Sequence, residues 1–135
     1  MNTDFSYRDL FRDLSSLMAG ETSFVTMMAN TSSLLYNRME NIILCAGEGY
    51  PCSWTIPGGN IACARIPVGS GVCGTAVAEE RILCINNVHS FNGHIVCDTA
   101  SNSEIVLPVR INNTVVGALD IDSPAFSRFS SEDEL

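Results

Sequence analysis

Apolar residues recur at helical spacing between Asp4 and Ala19, at Tyr7, Leu10, Phe11, Leu14, Leu17 and Met18, and Gly20 follows as a natural stop. Thr22 or Ser23 then offers a cap for a second amphipathic helix, whose apolar face of Phe24, Met27, Met28, Leu34, Leu35 and Met39 extends to about Asn41. The methionines in this half read as core filler. Between Ile43 and Asn60 the pattern breaks, because Gly47, Gly49, Pro51, Pro57, Gly58 and Gly59 leave only short apolar pieces at 42–45 and 54–56. Ile61–Ile66 alternates as a strand, and Pro-Val-Gly-Ser-Gly turns the chain into a short helix over Val72–Glu80 with Cys73, Ala76 and Val77 inward. A short apolar strand is expected at Arg81–Ile85.

The clearest pattern lies further on. Ser103–Ile111 and Thr114–Asp122 both alternate, and Asn112-Asn113 between them suits a tight hairpin turn. Strict two-residue pairing sets Ser103 opposite Asp122 and Glu104 opposite Ile121, leaving Glu104 on the opposite face from Asp120 and Asp122. Pro108 cannot donate to a ladder, and one extra residue near it would swing Glu104 to the face of the aspartates. At the end, Phe126 and Phe129 offer apolar anchors, and Ser131 with Glu134 reads as a capping box.

Length and composition add a single domain: 135 residues, 46% hydrophobic, suffice for one core. A net charge of −8 opposes binding to nucleic acid or to an anionic membrane surface. Residues 1–12 lack an apolar secretory core and no run is long enough to span a bilayer, so a cytoplasmic address is expected. In a reducing compartment the six cysteines are not expected to form a permanent disulfide framework. Cys45, Cys52, Cys63, Cys73, Cys84 and Cys97 contain no Cys-x-x-Cys pair, and neither His89 nor His94 stands at zinc spacing, which argues against a structural zinc site. Gly69, Gly71 and Gly74 are not followed by a lysine and lack dinucleotide spacing, so nucleotide-phosphate binding is rejected there. No cofactor and no resident metal are expected.

Candidate chemistry concentrates in Gly93–Glu104, where a histidine, a cysteine, two carboxylates and small polar residues share one polar segment around Cys97. A thiolate is favoured by partial exposure, hydrogen-bond donors and positive charge, which such a loop with His94 can offer. His94 itself reads as shaping the loop rather than acting as a general base.

Four motifs stand together in order: Ile-Ala-Cys at 61–63, Gly-Val-Cys-Gly-Thr-Ala at 71–76, Gly-His-Ile-Val-Cys-Asp at 93–98 with Ser-Glu-Ile-Val-Leu-Pro at 103–108, and Leu-Asp-Ile-Asp-Ser at 119–123. This set closely resembles the free methionine-(R)-sulfoxide reductases, which are built on a GAF domain. The resemblance runs from about Ile61 to Leu135, and the helices before Asn41 agree in character. It implies an α/β (α+β) fold, a central antiparallel sheet with two N-terminal helices packed on one face, forming a single GAF-like domain over 1–135. It also implies reduction of free methionine sulfoxide, with Cys97 at the catalytic position, Cys63 at the main resolving position and Cys73 at the auxiliary one. Glu104, Asp120 and Asp122 match the acidic positions that hold substrate. Thioredoxin is the implied reductant, and a homodimer is possible by analogy with other GAF proteins.

The chain departs from the family in two places. It lacks the Trp-x-Gly-Phe-Tyr and Leu-Gly-Pro-Phe-Gln-Gly strands that precede Ile-Ala-Cys, and the family's closing helix beyond Leu135 is missing. A GAF module that senses a small ligand or redox state, or an inactive remnant of the reductase, therefore stands beside the enzyme reading. Cys45, Cys52 and Cys84 match no role.

Overall fold

A computed structural model describes residues 5–48, 66–96 and 99–135, with the backbone alone for 43–48. Helix α1 spans Tyr7–Met18, and the Ser6 hydroxyl caps it by accepting from the Asp9 N–H. Helix α2 spans Phe24–Arg38, capped by Ser23 through the Thr26 N–H. It ends three residues short of the expected limit, and the chain turns at Asn41 with φ +56°. Strand β1, Ile43–Glu48, lies inside a stretch whose glycines hide any alternation. The expected strand at 61–66, apart from its last residue Ile66, and the apolar piece at 54–56 lie outside the described residues.

Helix α3, Gly71–Glu79, packs on the sheet through Val72 and Ala76, at 3% and 0% exposure. Glu80 closes it in the left-handed region at φ +53°. Gly74 permits the tight turn into this helix: a Cβ there would stand 2.3 Å from the Pro67 carbonyl oxygen. Strand β2, Leu83–Ile85, is shorter than expected and pairs with β3, Ser103–Ile111, which forms a hairpin with β4, Thr114–Ser123. Asn112 and Asn113, at φ +50° and +66°, make the turn with both central residues left-handed, the geometry that two-residue hairpins require. A short final helix, α4, spans Ser131–Glu134. Its capping box uses Ser130 and Asp133, one residue earlier than expected at both positions.

The four described strands are all antiparallel in the order β1-β4-β3-β2. Alternation divides them between two cores. Ile105 and Ile121 join Leu10, Leu35, Met39 and Phe129 on the face covered by α1 and α2. Val106 and Ala118 join Leu83, Val72 and Ala76 on the face covered by α3. Burying Ile105 and Val106, at 1% and 0% exposure, contributes about 1.5–3 kcal/mol for each side chain. The stripe on α1 is less buried than its periodicity suggests, since Phe11 is 74% exposed and Leu10 alone in that helix is fully enclosed. No helix among the described residues is long and apolar enough to cross a membrane.

The hairpin register corrects the strict pairing. Near the turn Ile111 faces Thr114 and Arg110 faces Val115, but Val109 faces Gly117, so Val116 is an extra residue on β4. Beyond this bulge Ser103 faces Ser123 and Glu104 faces Asp122. The irregularity falls one residue from Pro108, with the inserted residue on the opposite strand. Its effect is to bring Glu104 onto the same face as Asp120 and Asp122.

Candidate active site

On the α3 face of the sheet, polar side chains gather at the end of the second core. Glu104 comes from β3, Asp120 and Asp122 from β4, and Cys73 from the first turn of α3; together with His94, Ile95 and Ser101 they line one pocket. Burial decides their behaviour. Glu104 is 4% exposed and Asp122 6%, and ionising a carboxyl out of water is costly unless a partner compensates. Burial, followed by the negative field of Asp122, pushes Glu104 up to about 8. Asp120 is raised well above the usual carboxylate range by burial, then by Asp122 and Glu104.

The Cys73 thiol donates to Asp120 Oδ2 at 3.2 Å. Burial raises its pKa well above the ordinary value, and the carboxylates of Asp120, Glu104 and Asp122 push the same way. Cys73 is thus held as a thiol, an environment opposite to the one that makes a cysteine a good attacking group. Asp120 Oδ1 is buried and receives no N–H or hydroxyl donor among the described residues; Asp122 is the acid beside it. The Ser101 hydroxyl donates to Asp122 Oδ1 and fixes that carboxyl.

His94 Nε2 stands 3.6 Å from Glu104 Oε2, with both side chains nearly out of water. The contact resembles an ion pair, but burial and then His89 lower the pKa of His94 while Glu104 is raised. At neutral pH the pair therefore consists of a neutral imidazole and a carboxylic acid, with its proton on the acid.

Of the six expected site residues, Cys73, Glu104, Asp120 and Asp122 come together in this pocket. Cys97 and Cys63 lie outside the described residues. Ser101 and the contact between His94 and Glu104 had no individual signal in the sequence beyond their place in the polar segment 93–104. A larger cleft, of about 280 Å³, opens between α1, α2 and the hairpin tip; among the described residues its walls are apolar apart from Thr31 and Arg110 and include no acid or thiol.

The GAF domain model matches residues 7–135. The free methionine-R-sulfoxide reductase of Escherichia coli is 53% identical over 137 residues, covering 99% of this chain and 83% of the relative. Among solved structures, reduced fRMsr of Staphylococcus aureus superimposes with a TM-score of 0.87 at 36% identity, covering 98% of this chain and 90% of that one. The free methionine-R-sulfoxide reductase of Neisseria meningitidis, in complex with its substrate, gives 0.82 at 32% identity over 95% of this chain and 79% of that one. The likeness covers nearly the whole chain, which belongs to the free methionine-R-sulfoxide reductases of the GAF-domain family.

Proposed function

We propose that this chain reduces free L-methionine-(R)-sulfoxide to methionine, with Cys97 as the attacking thiolate and Glu104 as the proton donor. The observation that carries this reading is the co-facial set of Glu104, Asp120 and Asp122, in which Glu104 retains its proton at neutral pH. A sulfoxide oxygen leaves sulfur only if it is protonated, and a carboxylic acid near 8 supplies that proton under conditions where an ordinary glutamate is already ionised. In this reading Asp120 and Asp122 accept the α-ammonium of a free amino acid, a group that peptide-bound methionine sulfoxide lacks, and the arriving positive charge draws off the proton that burial keeps on Asp120. Asp120 Oδ1, buried with no N–H or hydroxyl donor among the described residues, supports that assignment.

The steps balance. The Cys97 thiolate attacks the sulfoxide sulfur as the oxygen takes the Glu104 proton; the oxygen passes to the cysteine as a sulfenic acid and methionine departs. The Cys63 thiol condenses with the sulfenic acid, forming a disulfide and releasing water, with Cys73 as the auxiliary thiol. A thioredoxin dithiol reduces that disulfide by exchange and is itself oxidised.

The test couples the protein to thioredoxin, thioredoxin reductase and NADPH and follows NADPH consumption on adding free L-methionine-(R)-sulfoxide. Consumption well above a Cys97→Ser control is expected, and it should vanish with an N-acetylated substrate whose ammonium is blocked. A rate equal to that of the Cys97→Ser control refutes the proposal.

A further inference from the structure

The geometry points to a second occupant for the acidic pocket: a borderline divalent cation of the Zn²⁺ class, held by Cys73, Glu104 and Asp120. One donor atom from each of these residues lies within 4.8 Å of the other two. Cys73 Sγ and Asp120 Oδ2 are already 3.2 Å apart. Around a tetrahedral Zn²⁺, with bonds of about 2.0–2.3 Å, neighbouring donor atoms sit roughly 3.5 Å from one another, so closure asks for a contraction of about 1 Å. The independent sign of a missing ligand is Asp120 Oδ1, which is buried in the pocket wall and receives no N–H or hydroxyl donor among the described residues, while the carboxyl partner beside Asp120 is a second acid, Asp122.

The donor set selects the cation. Mg²⁺ and Ca²⁺ call for six or more oxygens, and a thiol in the ring is wasted on them, whereas one sulfur with two carboxylates suits Zn²⁺ or Co²⁺. The chain-local spacing that argues against a structural zinc motif does not bear on this site. Its ligands come from α3, β3 and β4, so the fold and not the sequence interval brings them together.

The cation takes Glu104 and Asp120, and the pocket cannot hold it together with the ammonium of a substrate. Metal binding stands on the geometry alone; the consequence that Zn²⁺ competes with methionine sulfoxide rests on the function proposed above. The site is inhibitory, and zinc withdraws the enzyme from service without oxidising it.

Reduced protein, kept in a non-thiol phosphine, is titrated with Co²⁺ while the visible absorption of four-coordinate cobalt and the sulfur-to-metal charge-transfer band are recorded. Displacement by Zn²⁺ then gives the zinc affinity, and Mg²⁺ is the negative control. Glu104→Gln and Asp120→Asn keep side-chain volume and all six thiols, and each is expected to weaken binding about tenfold or more. Cys73→Ser should abolish the charge-transfer band, and Cys84→Ser should leave it unchanged. Co²⁺ affinities within twofold of wild type in both Glu104→Gln and Asp120→Asn overturn the site, whatever the activity of the protein. Free methionine sulfoxide should raise the apparent dissociation constant for Co²⁺ in proportion to its concentration. Binding that substrate leaves unaltered overturns the inhibitory role.

Discussion

Replacing Glu104 by Gln exposes what the buried acid costs the fold. Glu104 moves from an ordinary value of 4.5 to about 8 on folding, and at 4% exposure little solvent softens that change. Such a difference corresponds to about 5 kcal/mol between its two protonation states. The folded chain binds this proton more tightly than the unfolded one, so stability is fully present below 4.5, erodes as the pH rises, and levels off above about 8. Between about pH 5.5 and 8.5 the Glu104 share of that loss is about 3 kcal/mol. Glutamine has the same shape and no proton to lose, so the variant keeps that share at alkaline pH. Burial and Asp122, the larger causes of the Asp120 shift, act in both proteins, as does the surrounding acidic charge, and these shares largely cancel in the comparison. Urea unfolding followed by circular dichroism across this pH range measures the difference. The wild-type midpoint should fall toward alkaline pH more steeply than that of Glu104→Gln, with the two proteins closest at the acidic end. Parallel curves would refute the reasoning, because they would mean that Glu104 titrates in the folded protein as it does in water.

Three further outcomes follow from single contacts. Ser101→Ala removes the hydroxyl that fixes the buried Asp122, and should raise KM for the sulfoxide in the coupled assay and cost about 1–3 kcal/mol in urea unfolding. Gly74→Ala sets a methyl group against the Pro67 carbonyl, and should destabilise by about 1–3 kcal/mol, seen as a lower thermal midpoint. Cys84→Ser retains a donor toward the Phe129 carbonyl on the sheet face opposite the acids, so turnover within twofold of wild type is expected.

The helices and the hairpin were legible in the sequence because the physics that forms them is local. Ser6 and Ser23 cap where a side-chain oxygen can meet a free N–H, and Asn112-Asn113 tolerates the left-handed backbone its turn demands. The register was legible only in part. Val115 and Val116 are adjacent and both apolar, so the pattern gives no sign of which one is inserted, and Pro108 signals a disturbed ladder without saying which strand carries the extra residue. Strand β1 escaped the pattern since its pairing with β4 is a tertiary fact, and Gly47 within it argues locally for a turn. At the C-terminus two serines precede two acids one step out of phase, and the sequence fits either capping box. Exposure of Phe11 likewise depends on what covers α1, which helical periodicity does not encode.

For the site, the sequence yielded residue types and the fold yielded their consequences. The motifs nominate Glu104, Asp120 and Asp122 as acids; their crowding out of water is what leaves a proton on Glu104 at neutral pH. The same crowding keeps the hydrogen on the Cys73 thiol.

The extra residue at Val116 works as a parity setting for the sheet. None of the hairpin-tip residues 109–116 lines the acidic pocket, yet their number decides whether an odd or an even position of β3 meets the aspartates. A graft of these acids onto another antiparallel hairpin would fail, with every catalytic side chain correctly copied, unless the miscounted tip travelled with them. Insertions and deletions at that turn are accordingly active-site mutations carried out at a distance.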